Sequence, residues 1–123
     1  MNKHNRLVDH ITLKVKNLER SKIFYRAIAE TLGHAISQEN QHGFYVDGLL
    51  ITQDKDPSHS VHLSFHASNP GVLKLFHQTA VAAGGFCITP PQDAPVNQDQ
   101  YAAVVMDPDG NNVEVFFRST RAL

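Results

Sequence analysis

Part of this chain is written twice, and the duplication limits what it can fold into more than any other feature. At a constant offset of 52 residues, the segment DHITLKVKNLERSKIFYRAIAETLG, which opens on Asp9, lines up with VHLSFHASNPGVLKLFHQTAVAAGG. His10 falls on His62, Asn17 on Asn69, Phe24 on Phe76 and Gly33 on Gly85. A strand, a helix cap, a helix core position and a helix stop therefore coincide. A chain of 123 residues has room for one substantial hydrophobic core but is short for two independent folds. The expectation is a single domain over residues 1–123, built of two repeats at about 7–54 and 60–118.

In the first copy, Leu7 to Lys16 alternates, with Ile11, Leu13 and Val15 on one face and His10, Thr12 and Lys14 on the other. That pattern predicts a strand packed on one side only. Asn17 offers an N-cap, and Leu18 to Leu32 carries Leu18, Ile23, Phe24, Ile28 and Leu32 at helical spacing up to the left-handed stop at Gly33. Three short strands are predicted near His34 to Glu39, Gly43 to Val46 and Leu49 to Gln53, with Asp47-Gly48 as a hairpin turn. The second copy repeats the order. Val61, Leu63 and Phe65 alternate with His62, Ser64 and His66, and Asn69-Pro70 caps a helix running to about Ala83. A strand near Phe86 to Thr89 then precedes an irregular segment from Pro90 to Gln100. Strands at Tyr101 to Met106 and Asn111 to Arg118 flank the turn Asp107-Pro108-Asp109-Gly110.

Composition sets the class. At 41% hydrophobic and 19% charged, with no long apolar run, the chain reads as a globular protein with no membrane span. A formal charge of −1 excludes the concentrated positive field that a nucleic-acid partner needs. The opening residues show no apolar stretch followed by a cleavage site, so a cytoplasmic location is expected. The lone Cys87 reads as a buried small hydrophobe without a catalytic role, and His77 as a surface residue.

Chemistry concentrates on the polar faces of three strands. In the last one, Asn112, Glu114 and Phe116 alternate with Val113, Val115 and Phe117, so Glu114 points away from the apolar side. His10, His62 and Glu114 then form a two-histidine, one-carboxylate set, which leaves coordination positions open on a divalent ion such as Fe, Mn, Ni or Zn. Taken singly, each histidine is more often a hydrogen-bonded strand residue; the repeat is what links them. His66 shares a face with His62 and is a candidate base. Tyr101, at a loop-to-strand junction, is a candidate oxyanion donor. Phe44, Tyr45 and Phe116 read either as pocket lining or as core.

The opening DHITLKVKNLERSKIFYRAIAETLG and the closing DPDGNNVEVFF resemble the vicinal oxygen chelate superfamily, which includes glyoxalase I, extradiol dioxygenases, fosfomycin-resistance thiol transferases and bleomycin-resistance proteins. The resemblance implies an α+β fold of two βαβββ modules, whose curved mixed sheets enclose a metal-centred cavity with the helices on the outer face. It implies that His10 and His62 are the first-strand metal ligands and Glu114 the final-strand carboxylate. It also implies a homodimer, in which His10 and His62 of one site come from either the same or different subunits.

Departures from the individual branches matter. Glyoxalase I adds a glutamate from the last strand of the first module, where this chain offers Thr52 or Gln53. Extradiol dioxygenases carry a tyrosine where this chain has Val104. The fosfomycin enzymes share a threonine two residues after the first histidine, as Thr12 follows His10, yet their phosphonate-holding residues have no counterpart in Pro90 to Tyr101. The function so implied is a metal-dependent, glyoxalase-like lyase or isomerase acting on a small substrate with two adjacent oxygens. Glu114 would be a catalytic group as well as a ligand, and Gln53, Thr12 or His66 would position a water. The alternatives are a metal-free small-molecule or antibiotic binder, a dioxygenase or a thiol transferase.

Overall fold

The structure, a computed structural model, describes residues 6–93 and 100–118. Ten elements follow in the order β1 (Ile11–Val15), α1 (Leu18–Thr31), β2 (Ile36–Asn40), β3 (Gly43–Val46), β4 (Leu49–Gln53), β5 (His62–His66), α2 (Pro70–Ala82), β6 (Phe86–Asp93), β7 (Gln100–Met106) and β8 (Asn112–Arg118). They form an α+β fold of two βαβββ modules. Each module makes its own four-stranded mixed sheet, ordered β1-β4-β3-β2 and β5-β8-β7-β6. β1 runs parallel to β4 and β5 parallel to β8, while the remaining pairings are antiparallel. β1 and β5 are thus edge strands of their sheets.

Local sequence accounts for both helices. Asn17 and Asn69, in extended backbone, accept from the amides of Arg20 and Val72 at 3.0 and 3.1 Å, satisfying donors that a helix start leaves open. Pro70 occupies the first turn of α2, where its missing N–H is not needed. Both helices end alike, but the glycines do different jobs. Gly33 (φ +83) and Gly84 (φ +105) hold the left-handed position, and His34 N and Gly85 N close the six-residue turn on Ala29 O and Ala80 O, each at 2.8 Å. Gly85 is therefore the counterpart of His34. A Cβ on Gly85 would lie 2.6 Å from Val105 Cγ1 and 2.7 Å from Phe24 Cε1, so it is a glycine because two modules meet there.

The helix-facing strand positions fill one shared core. Leu13, Val15, Phe44, Ile51, Val105, Val113 and Val115 are all buried, together with Phe24 and Ile28 of α1 and Leu73 and Phe76 of α2. Each such side chain contributes roughly 1.5–3 kcal/mol over its exposed state. α1 and α2 also pack on one another, so the helix-free face of each sheet is turned away from this core. Phe44 is core rather than pocket lining, whereas Tyr45 is only half-buried.

Two predicted boundaries are corrected. β1 begins at Ile11, one residue after His10, and Ile11 itself is exposed despite its place in the alternation. β6 runs on through Pro90 and Pro91 to Asp93, where the sequence predicts irregular chain. Proline is tolerated because β6 is an edge strand, and the pairing with β7 shifts register between Thr89 and Gln92. The rest of that predicted loop, residues 94–99, lies outside the described residues.

A buried polar clamp joins the modules. Tyr25 Oη of α1 donates to Asp107 Oδ2 at 2.5 Å, and Asp107 Oδ1 accepts from the amides of Asp109 and Asn111 at 2.9 and 2.8 Å. Asn111 Nδ2 donates to Ser58 O and Asp107 Oδ2, and its Oδ1 accepts from Val61 N at 3.0 Å. Burial, and the adjacent Asp107 carboxylate, push the Tyr25 phenol well above its ordinary value. Burial also raises the Asp109 carboxyl, against the pull of the Lys16 amide that it accepts from.

Candidate metal centre

The parallel pairing of β5 with β8 sets His62 opposite Asn112 and Ser64 opposite Glu114. Alternation sends His62, Ser64 and Glu114 to the helix-free face. There His62 Nε2 lies 3.1 Å from Glu114 Oε1, and Ser64 Oγ donates to the same oxygen at 3.3 Å. The Glu114 side chain is 27% exposed and that of His62 57%, so the pair is open to a ligand while its carboxylate is partly screened.

His10 occupies the corresponding place in the first module, one residue before β1. Its Nδ1 is 2.9 Å from Asp9 Oδ2, and its ring meets Tyr45 edge-on with centroids 6.1 Å apart. A carboxylate beside Nδ1 favours the tautomer that carries its proton there and leaves the Nε2 lone pair for an electrophile. His10 and the His62–Glu114 pair belong to different modules. Among the described residues no group of three His, Cys, Asp or Glu side chains is gathered for a metal ion. The donor types therefore suit a divalent ion, and one copy brings two of the three together.

The remaining residues sort by face. His66 shares the Glu114 face, its ring 4.5 Å from that of Phe116, and with Ser64 it borders a hollow of about 250 Å³ at the end of α1. Tyr101 pairs with Phe117 and stacks on it, on the side opposite Glu114. Gln53 pairs with Val15, on the helix side, and its Oε1 accepts from the α1 amide of Leu18 at 2.9 Å. Thr12 and Thr52 face outward with His10. Across the sheets, Ser64–Glu114 corresponds to Thr12–Leu50, so the first-module counterpart of Glu114 is neither Thr52 nor Gln53 but the apolar Leu50. Sequence reasoning passed over Ser64, Asp9 and Leu50, though counting two residues past each histidine onto its parallel partner finds Ser64 and Leu50. Cys87 is exposed on the β6 edge, not buried, and its Sγ lies 3.1 Å from His77 Nε2.

This arrangement of paired modules is shared with known proteins. The family model of the Glyoxalase/Bleomycin resistance protein/Dioxygenase superfamily matches residues 7–115. The chain belongs to that superfamily. A glyoxalase/bleomycin resistance protein from Albidiferax ferrireducens T118 is 29% identical, with a TM-score of 0.76 over 92% of this chain and 99% of its own. A glyoxalase-related enzyme from Fulvimarina pelagi is 24% identical, with a TM-score of 0.70 over 92% and 88%. A putative glyoxalase from Bacillus halodurans is 20% identical, with a TM-score of 0.71 over 94% and 99%. The last two likenesses speak for the fold alone. No curated protein matches the chain. Divalent ions are common in the superfamily, and among the described residues no helix is long and apolar enough to cross a membrane.

Proposed function

We propose that this superfamily member is a metal-dependent vicinal oxygen chelate enzyme, glyoxalase-like in acting as a lyase or isomerase on a small substrate with two adjacent oxygens. The observation that carries the reading is the His62–Glu114 pair at 3.1 Å on a helix-free face, with Ser64 orienting the carboxylate. The third ligand is His10 of a second copy. β1 and β5 are both edge strands, and the Lys14 end of β1 is closed by Ser58, with no such closure of the His10 end among the described residues. A twofold contact that sets β1 of one copy beside β5 of the other is self-complementary and makes two equivalent sites. The protein is then a cytoplasmic homodimer.

When bound, the ion supplies Lewis acidity, polarising both substrate oxygens and stabilising negative charge as it develops. The chain's own groups do the rest. Asp9 holds the His10 ring in its ligating tautomer, and Ser64 keeps Glu114 turned toward His62. Glu114 or His66 takes up the substrate proton on the same face. Tyr101, on the opposite side, has no part in this.

One observation favours a second reading. His62 and Glu114 already satisfy each other, as they would in a metal-free binder of a small molecule. Subunit mixing separates the cases. Neither His10→Ala nor His62→Ala protein should retain metal, but mixed dimers of the two should recover one ion each, because one of their two sites is intact. Equal, negligible metal in the wild type and both variants would overturn the metal-dependent reading and favour the metal-free binder. Recovery in neither the mixture nor the variants, with a metal-loaded wild type, would place the whole site within one chain.

A further inference from the structure

The two modules present matching rows of side chains on their helix-free faces, and the rows differ in one instructive way. In the second sheet, pairing runs Ser64, Glu114, Val104, Thr89 across β5, β8, β7 and β6. In the first, it runs Thr12, Leu50, Tyr45, Ser37 across β1, β4, β3 and β2. The outer hydroxyls correspond. The two central positions are exchanged in character, an acid and an aliphatic residue becoming an aliphatic residue and a phenol. Leu50 withdraws a donor from the first-module side, and Tyr45 puts a neutral hydrogen-bonding group one strand further out.

We propose that Tyr45 is the substrate-contacting residue of this site, donating a hydrogen bond to an oxygen of a small, flat, largely apolar ligand that lies along the Tyr45–Leu50 wall. This rests on the metal-centred reading above. Three observations support it. The Tyr45 ring meets the His10 imidazole at 77°, so the phenol travels with the ligand that the first module contributes. Neighbouring core residues of β3 are buried, but Tyr45 is half-exposed and borders a hollow of about 230 Å³ lined by the polar and charged Arg6, Asp9, Ser37, Gln38 and Asp47, which suits the oxygen-bearing edge of the ligand rather than its apolar body. The side chains flanking the donors are Leu50 on one sheet and Val104, Met106 and Phe116 on the other, all half-buried on the helix-free face, which suits a planar apolar body better than a highly charged one. A phenol at such a wall favours a ligand that carries an acceptor by about tenfold, the size of one hydrogen bond to a half-exposed group.

The probe is 4-nitrocatechol, a flat vicinal diol whose absorbance shifts when a metal ion binds it. Full-length protein is loaded with zinc, its metal content is measured by mass spectrometry, and the probe is titrated by absorbance. Tyr45→Phe keeps the ring and should weaken the probe about tenfold with zinc content unchanged. Tyr45→Leu, which removes the ring as well, should weaken it further, and circular dichroism checks that both variants are folded. Unchanged probe affinity in both variants overturns the assignment, as does a zinc-loaded wild type that ignores the probe. Loss of zinc together with the probe also overturns it, because Tyr45 would then support the metal rather than the substrate. A wild type that takes up no zinc instead overturns the metal-centred reading itself.

Discussion

Replacing Tyr25 by phenylalanine removes one oxygen from the interior and leaves the ring in place. Tyr25 is fully buried and Asp107 is 4% exposed, so water cannot replace the lost donor. The Asp107 carboxylate keeps its bonds from the Asp109 and Asn111 amides and from Asn111 Nδ2, which is why the loss stays below that of stranding the charge entirely. A hydrogen bond to a charged group is worth about 1.5–3 kcal/mol, which places the expected destabilisation at about 2 kcal/mol, or roughly 8 °C in Tm for a domain of this size. Urea unfolding followed by circular dichroism, with an unchanged m-value, measures it. Alkaline pH supplies an independent check. The folded-state pKa of Tyr25 is raised well above 10.0, so the folded protein holds the phenolic proton more tightly than the unfolded chain does. That contribution is fully present below pH 10 and is lost as pH rises from there toward the folded value. The phenylalanine variant lacks it, so the gap between the proteins should narrow above pH 10, by up to about 1.4 kcal/mol per unit. A gap under about 0.5 kcal/mol at neutral pH, or one that stays constant from pH 9 to 11, refutes the clamp as described.

Gly85→Ala should destabilise by about 2–3 kcal/mol in urea, because its Cβ meets Val105, Phe24 and Ala80 O within 2.8 Å, whereas Gly33→Ala, with open space around it, should cost only the left-handed backbone, about 1 kcal/mol. Gln53→Ala should lower stability by about 1 kcal/mol through the orphaned Leu18 amide and leave metal content unaltered; loss of metal would return Gln53 to the ligand set. Asn111→Ala removes three buried side-chain bonds and should cost about 2–4 kcal/mol; a stability within about 0.5 kcal/mol of wild type would deny Asn111 its bridging role.

The fold was legible because its determinants are local and doubled. Asn caps and period-two alternation appear at matching places in each repeat, and they become β1-α1 and β5-α2 as predicted. What escaped the sequence depends on which strand lies beside which. Leu50 becomes the counterpart of Glu114 only once β1 is known to pair with β4 in the register that β5 keeps with β8. Gly33 and Gly85 align as letters but not as positions, since α2 is one residue shorter than α1. The prolines of β6 read as loop because an edge strand is defined by a neighbour it lacks. Asp107-Pro108-Asp109-Gly110 was legible as a turn, but its use as a clamp on Tyr25, 82 residues earlier, was not. In the candidate site, the faces of His62, His66 and Glu114 followed from alternation, while Tyr101 falls on the other face because β7 enters register at Gln100 opposite Arg118.

The clamp and the candidate metal centre are also consecutive in cause. Asn111 accepts from Val61 N just before β5 begins, and Asn112 N donates to Val61 O at 2.9 Å just as β8 begins. Those two bonds fix where β5 starts along β8, and with it the pairing of Ser64 with Glu114. A slip of one residue would send His62 to the helix side and break its contact with the carboxylate. Asp107 anchors Asn111 through its amide and its side chain, and Tyr25 anchors Asp107 from the other module. The register that brings His62 to Glu114 is therefore held from α1, in the half of the chain that contributes neither residue. Duplication supplied two similar modules, but only the second carries its acid on the paired strand, and the first retains a role at that site by bracing it from behind.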